Sequence, residues 1–162
     1  MNAAEIRAAL NTVEQDHQLV LEKMKGLKDA VSCLLEAGAD YHGALARLRD
    51  LNRYFATAFE THMQEEEVHL FPLLEKDGSE GAAVVKRLQD DHAEIRRRLE
   101  EFDKCLDVAS QTEDRPQKMV MRDLLTFGWE LWEILNDHAR LETQTVRQCL
   151  LRFWRDEGPP GS

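Results

Sequence analysis

Six residues in this chain have the types and the spacing of a metal-ligand set. His62 and Glu66 stand four apart in HMQEE, and His138 and Glu142 stand four apart in HARLE. Residues four apart on a helix share a face about one turn apart, so each pair presents an imidazole and a carboxylate together. Both pairs continue apolar stripes. His17 and His92 replace an expected apolar residue on the stripes of two further segments. A single such histidine is by default a core residue bonded to backbone. Four imidazoles and two carboxylates would be costly to bury separately, and a cation that binds them all satisfies them together. Imidazole with carboxylate suits iron, manganese or zinc. A zinc site would need four of the six. Two ions use all of them: His17 and His62 on one, His92 and His138 on the other, with Glu66 and Glu142 shared as carboxylates are shared in dinuclear helical bundles.

The elements that must position these residues read as helices. Val20, Met24, Leu27, Val31 and Leu34 follow the three-and-four spacing of an amphipathic helix, capped at its start by Asn2, or by Asn11 or Thr12 if it is shorter, and closed by Gly38. Asp40 caps a second helix that runs to about Lys76 through Leu45, Leu48, Leu51, Phe55, Phe59, His62, Glu66 and Leu70, with Pro72 expected to kink its last turn. Ser79 is the expected cap of a third, which carries Val84, Val85, Leu88, His92, Ile95, Leu99, Phe102 and Leu106. A fourth is expected from near Pro116 to about Arg155, with Leu124, Leu131, Leu135, His138, Glu142, Val146 and Leu150 spaced for burial. Short connections make consecutive helices antiparallel neighbours, so the expected fold is an all-α, up-down-up-down four-helix bundle over residues 1–156, with 157–162 as a frayed tail.

The two halves repeat. A shift of 75 places Asp16-His17 on Asp91-His92 and Val20, Met24, Leu27 and Val31 on Ile95, Leu99, Phe102 and Leu106. A shift of 76 places Phe55, Phe59, His62 and Glu66 on Leu131, Leu135, His138 and Glu142. The chain reads as a duplicated helical hairpin, each half giving one His from its first helix and an H-x-x-x-E from its second. Distances along the hairpins agree: His17 lies about 20 residues before the first turn and His62 about 22 after it, which at roughly 1.5 Å per residue puts them at nearly one height.

Composition bounds the rest. A chain of 162 residues with 43% hydrophobic and 32% charged side chains can bury one core without disulfides. The start, MNAAEIRAAL, lacks a basic and then apolar leader, and no stretch approaches the roughly 20 apolar residues of a membrane span, so the sequence reads as cytoplasmic. A net charge of −10 repels phosphate backbones and anionic lipid, which argues against nucleic acid and membrane as partners. Cys33, Cys105 and Cys149 are odd in number and widely spaced, and read as small core or flank residues.

With QDHQ, THMQEEEVHLFPLL, DDHAEIRRRL and NDHARLE in hand, the chain resembles the hemerythrin-like proteins, in the branch called the HHE cation-binding domain, over roughly residues 12–152. The resemblance implies a non-haem di-iron centre bridged by carboxylates and an oxo or hydroxo group, with His17, His62, Glu66, His92, His138 and Glu142 as ligands. It departs from the oxygen-carrying members at two places. Arg96 stands where they have a further His one turn after the third-helix ligand, and Thr143 stands where they have an Asp five residues after the last His. The resemblance therefore implies a centre that binds or reacts with a small species (oxygen, nitric oxide or peroxide) more than one that carries oxygen reversibly. The alternative is an iron- or oxygen-responsive sensor whose fold depends on metal occupancy, and the sequence leaves open whether any of this is catalysis.

Other residues divide between packing and function. His69, seven after His62, is expected in the core or behind the ligands, with a seventh ligand as the alternative if the metals sit toward that end. His42 is expected at the surface, and Tyr54 as a half-buried packing residue that could otherwise face a bound oxygen species. Trp129 and Trp132 flank the ligand face, as bundle packing or as a homodimer or protein-partner contact. Asp16, Asp91 and Asp137, each just before a ligand His, point about 100° away from it and read as flank groups.

Overall fold

The computed structural model describes residues 3–36, 40–76, 78–111 and 118–156, with backbone alone over 3–17, 146–147 and 149–156. The described residues contain helix and turn and no strand. The first helix spans Ala3–Cys33, the second occupies residues 41–75, the third spans Ser79–Ser110 and the fourth Lys118–Asp156. The first helix packs against the second and fourth, and the third packs against the fourth and second.

The stripes read from the sequence are the buried ones. Val20, Met24, Leu27, Val31 and Leu34 of the first helix are buried, as are Leu45, Leu48, Phe55 and Phe59 of the second and Ile95, Leu99, Phe102 and Leu106 of the third. Leu124, Leu131 and Leu135 complete this cluster from the fourth. Val146 and Leu150 lie outside the described side chains. Leu51 is only half-buried; the neighbouring Asn52 is buried instead, and its Nδ2 donates to Asp103 Oδ1 at 3.0 Å.

Helix boundaries follow local chemistry and depart from the sequence reading at the third helix. Asp40 caps the second helix as expected, its Oδ1 accepting from the Gly43 amide at 2.9 Å. The first helix begins at Ala3, which matches the longer alternative; Asn2, Gly38 and Pro116 lie outside the described residues. At the third helix the expected cap, Ser79, is already the first helical residue. Gly78 precedes it at φ +81, a conformation that glycine adopts without the penalty a Cβ would bring, so the turn is set one residue earlier.

The second helix is interrupted twice by wider π turns, at Phe55–Phe59 and Glu66–Leu70, which bracket the α-helical Glu60–Glu65. In the first, the Thr57 hydroxyl donates to the Arg53 carbonyl at 2.7 Å, competing with the backbone ladder. The second ends just before Pro72, which has no N–H for the carbonyl four residues back; the Phe71 amide donates to Glu66 O, five residues back. Pro72, where a kink was expected, stands two residues after the end of this widened turn. Among the described residues, no helix is long and apolar enough to cross a membrane.

Candidate metal centre

The large apolar cluster includes Phe59 and Met63 of the second helix, Ile95 of the third and Leu135 of the fourth. A smaller one, of Leu70, Phe71, Leu74, Val85 and Leu88 with Leu141 against it, lies further along the second helix. Glu66, His92 and His138 fall between them in chain position, His62 and Glu142 stand one residue outside those intervals, and all five are buried. A polar layer is therefore held between two apolar ones.

Glu66 is the hinge of this layer. Its Oε1 lies 2.6 Å from His62 Nε2, one turn earlier on the same helix. Its Oε2 lies 3.2 Å from His92 Nε2 on the third helix and 4.0 Å from His138 Nε2 on the fourth. Glu142 Oε2 stands 3.8 Å from His138 Nε2. Ligand atoms of Glu66, His92 and His138 lie within 4.8 Å of one another, and so do those of His62, Glu66 and Glu142. Both groups could hold a metal ion, and they share Glu66. The side chain of His17 lies outside the described residues; the other five candidates are brought together.

Ring contacts fix the imidazoles. Phe59 stacks on His62 with centroids 5.4 Å apart, Phe71 stacks on His92 at 5.3 Å, and His92 meets His138 edge-on at 4.8 Å. Burial pushes the His138 pKa down, against the carboxylates of Asp91 and Glu66, so this ring is held neutral, the form that ligates metal. Neither His138 ring nitrogen makes a hydrogen bond among the described residues, nor does His92 Nε2. Asp91 Oδ2 is 3.9 Å from His138 Nδ1, beyond direct hydrogen-bond length. Unsatisfied imidazole nitrogens this deep are expensive, and a cation against Nε2 removes the cost. The donor set fits a metal.

Behind His92 lies a network that the sequence reading assigned no role. Glu67 Oε1 is 2.7 Å from His92 Nδ1. Burial alone would raise the Glu67 carboxyl, but the His92 hydrogen bond and Arg96 outweigh it and hold it below its usual range. As a carboxylate, Glu67 can only accept, so His92 Nδ1 carries the proton and Nε2 turns its lone pair to Glu66 and the site. Glu66 and Glu67 thus reach opposite sides of one ring. Arg96 donates through Nη2 to Glu67 Oε1 at 3.1 Å and through Nε to Glu60 Oε2 at 2.8 Å. The run EEE at 65–67 was the one signal in the sequence, and nothing in it distinguished Glu67 from a surface acid.

The remaining candidates fall mostly as read. His42 is exposed, and Tyr54 is half-buried with Lys23 Nζ 5.2 Å over its ring. Trp129 and Trp132 are half-buried against the core, edge to face at 5.9 Å, with Lys28 Nζ over Trp132. Cys33 and Cys105 are half-buried and free, and burial raises the Cys105 thiol to about 11; the Cys149 side chain lies outside the described residues. His69 differs: it is exposed and not in the core. Asp91 also differs, because it faces His138 and is not a plain flank group.

An all-helical chain with buried imidazoles and carboxylates converging from three helices defines a class: helical domains that bind non-haem metal cations. The family model described as Hemerythrin HHE cation binding domain matches residues 8–150, and the chain belongs to that family. No curated protein and no solved structure gives a significant match to the chain.

Proposed function

We propose that this protein is an up-down-up-down four-helix bundle holding two non-haem irons with His17, His62, Glu66, His92, His138 and Glu142, and that it binds or reacts with a small species such as oxygen, nitric oxide or peroxide. The observation that carries this reading is Glu66, whose two oxygens face His62 on one side and His92 on the other, so that one carboxylate serves two ligand groups. His92, His138 and Glu66 would hold one ion, and His62, Glu142 and Glu66, with His17, the other. Iron supplies redox and Lewis-acid chemistry when bound. The chain's own part is to keep the proton of His92 on Nδ1 so that its Nε2 faces the site, to hold the His138 ring neutral by burial, to orient the rings by stacking, and to exclude bulk water with the apolar clusters on either side. With Arg96 engaged by Glu60 and Glu67, no third imidazole is supplied from that turn of the third helix, which leaves coordination positions for a small ligand.

The alternative, a metal-dependent sensor or interaction module, drew on Trp129 and Trp132 as a contact surface, and their half-burial against the core gives it no added support. Metal analysis of anaerobically purified protein, followed by optical spectra after addition of oxygen, peroxide or nitric oxide, tests the proposal. Close to two irons per chain and a spectral change with at least one of these species are expected. A firm ratio of one metal per chain, or zinc alone in both cell-derived and reconstituted samples, would sink the di-iron reading.

A further inference from the structure

The proposed ligands repeat under shifts of 75 and 76 residues, but what stands behind them does not. In one half, Glu67 accepts from His92 Nδ1 at 2.7 Å and is held by Arg96 at 3.1 Å, while Arg96 is itself anchored on Glu60 through two bonds, at 2.8 and 3.0 Å. Glu60, Glu67 and Arg96 are each only partly exposed. Under the same shifts Glu67 becomes Thr143, Glu60 becomes Asn136 and Arg96 becomes Leu21. Thr143 Oγ1 donates to the Ala139 carbonyl at 2.7 Å, and Leu21 is exposed. The charged clamp of one half has an uncharged counterpart in the other. Asp91, beside His138, does not separate the halves, since its counterpart is Asp16.

We infer that Glu67, held by Arg96 and Glu60, is a positioning residue that makes the two metal positions unequal, so that the position served by His92 and His138 binds its ion more tightly than the one served by His17 and His62. The inference rests on the metal-centre reading above. A carboxylate behind a ligating imidazole fixes the tautomer and ring orientation and strengthens the nitrogen as a donor, and its loss typically costs about 10–100-fold in metal affinity. Glu67 is well placed to act this way because the guanidinium fork restricts its carboxylate while Glu60 restricts the guanidinium. Thr143 offers no charge, and its hydroxyl hydrogen is committed to the backbone.

The test is anaerobic titration of the metal-free full chain with iron(II), followed by calorimetry and by Mössbauer spectra at one and two equivalents. The parent should bind in two steps separated by roughly 10-fold or more in affinity, with one spectral component at one equivalent and a second at two. Glu67→Gln, which keeps the volume but removes the charge, should weaken the tighter step alone and bring the two together. Arg96→Leu, which keeps Glu67 but frees it, should weaken the same step by less. Melting temperatures of the metal-free variants, matched to the parent, show that a loss of affinity is not a loss of fold. Two equal steps in the parent, or an equal loss on both steps in Glu67→Gln, would overturn the inference and leave the metal centre standing. No binding at either position would overturn both.

Discussion

Glu66 reaches His92 across the interface between the second and third helices, Oε2 to Nε2 at 3.2 Å, while its other oxygen stays with His62 on its own helix. Glu142 belongs to only one of the two ligand groups. Their substitutions should therefore differ. Glu66→Gln is expected to deplete iron at both positions, and Glu142→Gln chiefly at one, so that iron per chain falls further in the first. Metal analysis of the two proteins, purified side by side, decides it; equal losses would show that Glu66 is not shared.

Metal removal should lower stability, because apo-protein leaves His92 and His138 buried with nitrogens that lack hydrogen bonds among the described residues. An ion at 100 times its dissociation constant adds about 2.7 kcal/mol. For a chain of this size that corresponds to roughly 5–10 °C in melting temperature. Calorimetry before and after chelation measures it, and an unchanged transition would count against structural coupling of the site.

Much of this arrangement was legible in the sequence, because ligands that continue an apolar stripe inherit the helical period and appear as breaks in it. The parts that were not legible share a physical cause. His69, seven after His62, belongs on the same face of a regular α-helix, but the π turn at Glu66–Leu70 widens the helix between them and His69 is exposed. Glu67 was hidden for the same reason: neighbours on an α-helix point about 100° apart, yet at the start of that turn Glu66 and Glu67 flank a single ring. Pro72 was the only trace of the widened turn, and it reads equally well as a kink. Arg96 was noted for what it replaces; its length, which takes it to Glu60 and Glu67, is a matter of partners on another helix.

On the surface of the third helix, Glu94 is held down at about 2, first by its hydrogen bond from Arg97 and then by Arg98, whose Nε donates to it at 2.8 Å. A carboxylate whose folded pKa is depressed contributes stability above its ordinary value of 4.5 and loses that contribution as pH falls toward about 2. Glu94→Gln should thus be slightly less stable than the parent at neutral pH and converge with it on acidification across that window. Because the group is at the surface, 1 M salt should also shrink the difference. Denaturant midpoints of both proteins over pH and salt check this; a constant gap would mean that the network is stabilised by packing and not by charge.

The last prediction concerns a close contact of the first and fourth helices. A Cβ on Gly128 would stand 2.6 Å from Val31 Cγ2 and 3.5 Å from Phe102 Cε2, against the 3.5–4.0 Å at which carbon atoms rest. Two effects oppose each other in Gly128→Ala. Alanine in a helix interior is worth about 0.5–1 kcal/mol over glycine, while forcing a methyl into a filled core costs about 1–3 kcal/mol. Val31 is fully buried and β-branched, so its methyl has little freedom to turn aside, and the packing cost should win. Gly128→Ala is expected to destabilise by about 1 kcal/mol. Val31→Ala alone should also destabilise, by leaving a cavity, but the pair should cost less than the sum of the two, since the new methyl enters the space the valine leaves. Denaturant unfolding of the parent, both single variants and the double variant measures the coupling, and strict additivity would show that the two helices can separate enough to make the contact unimportant.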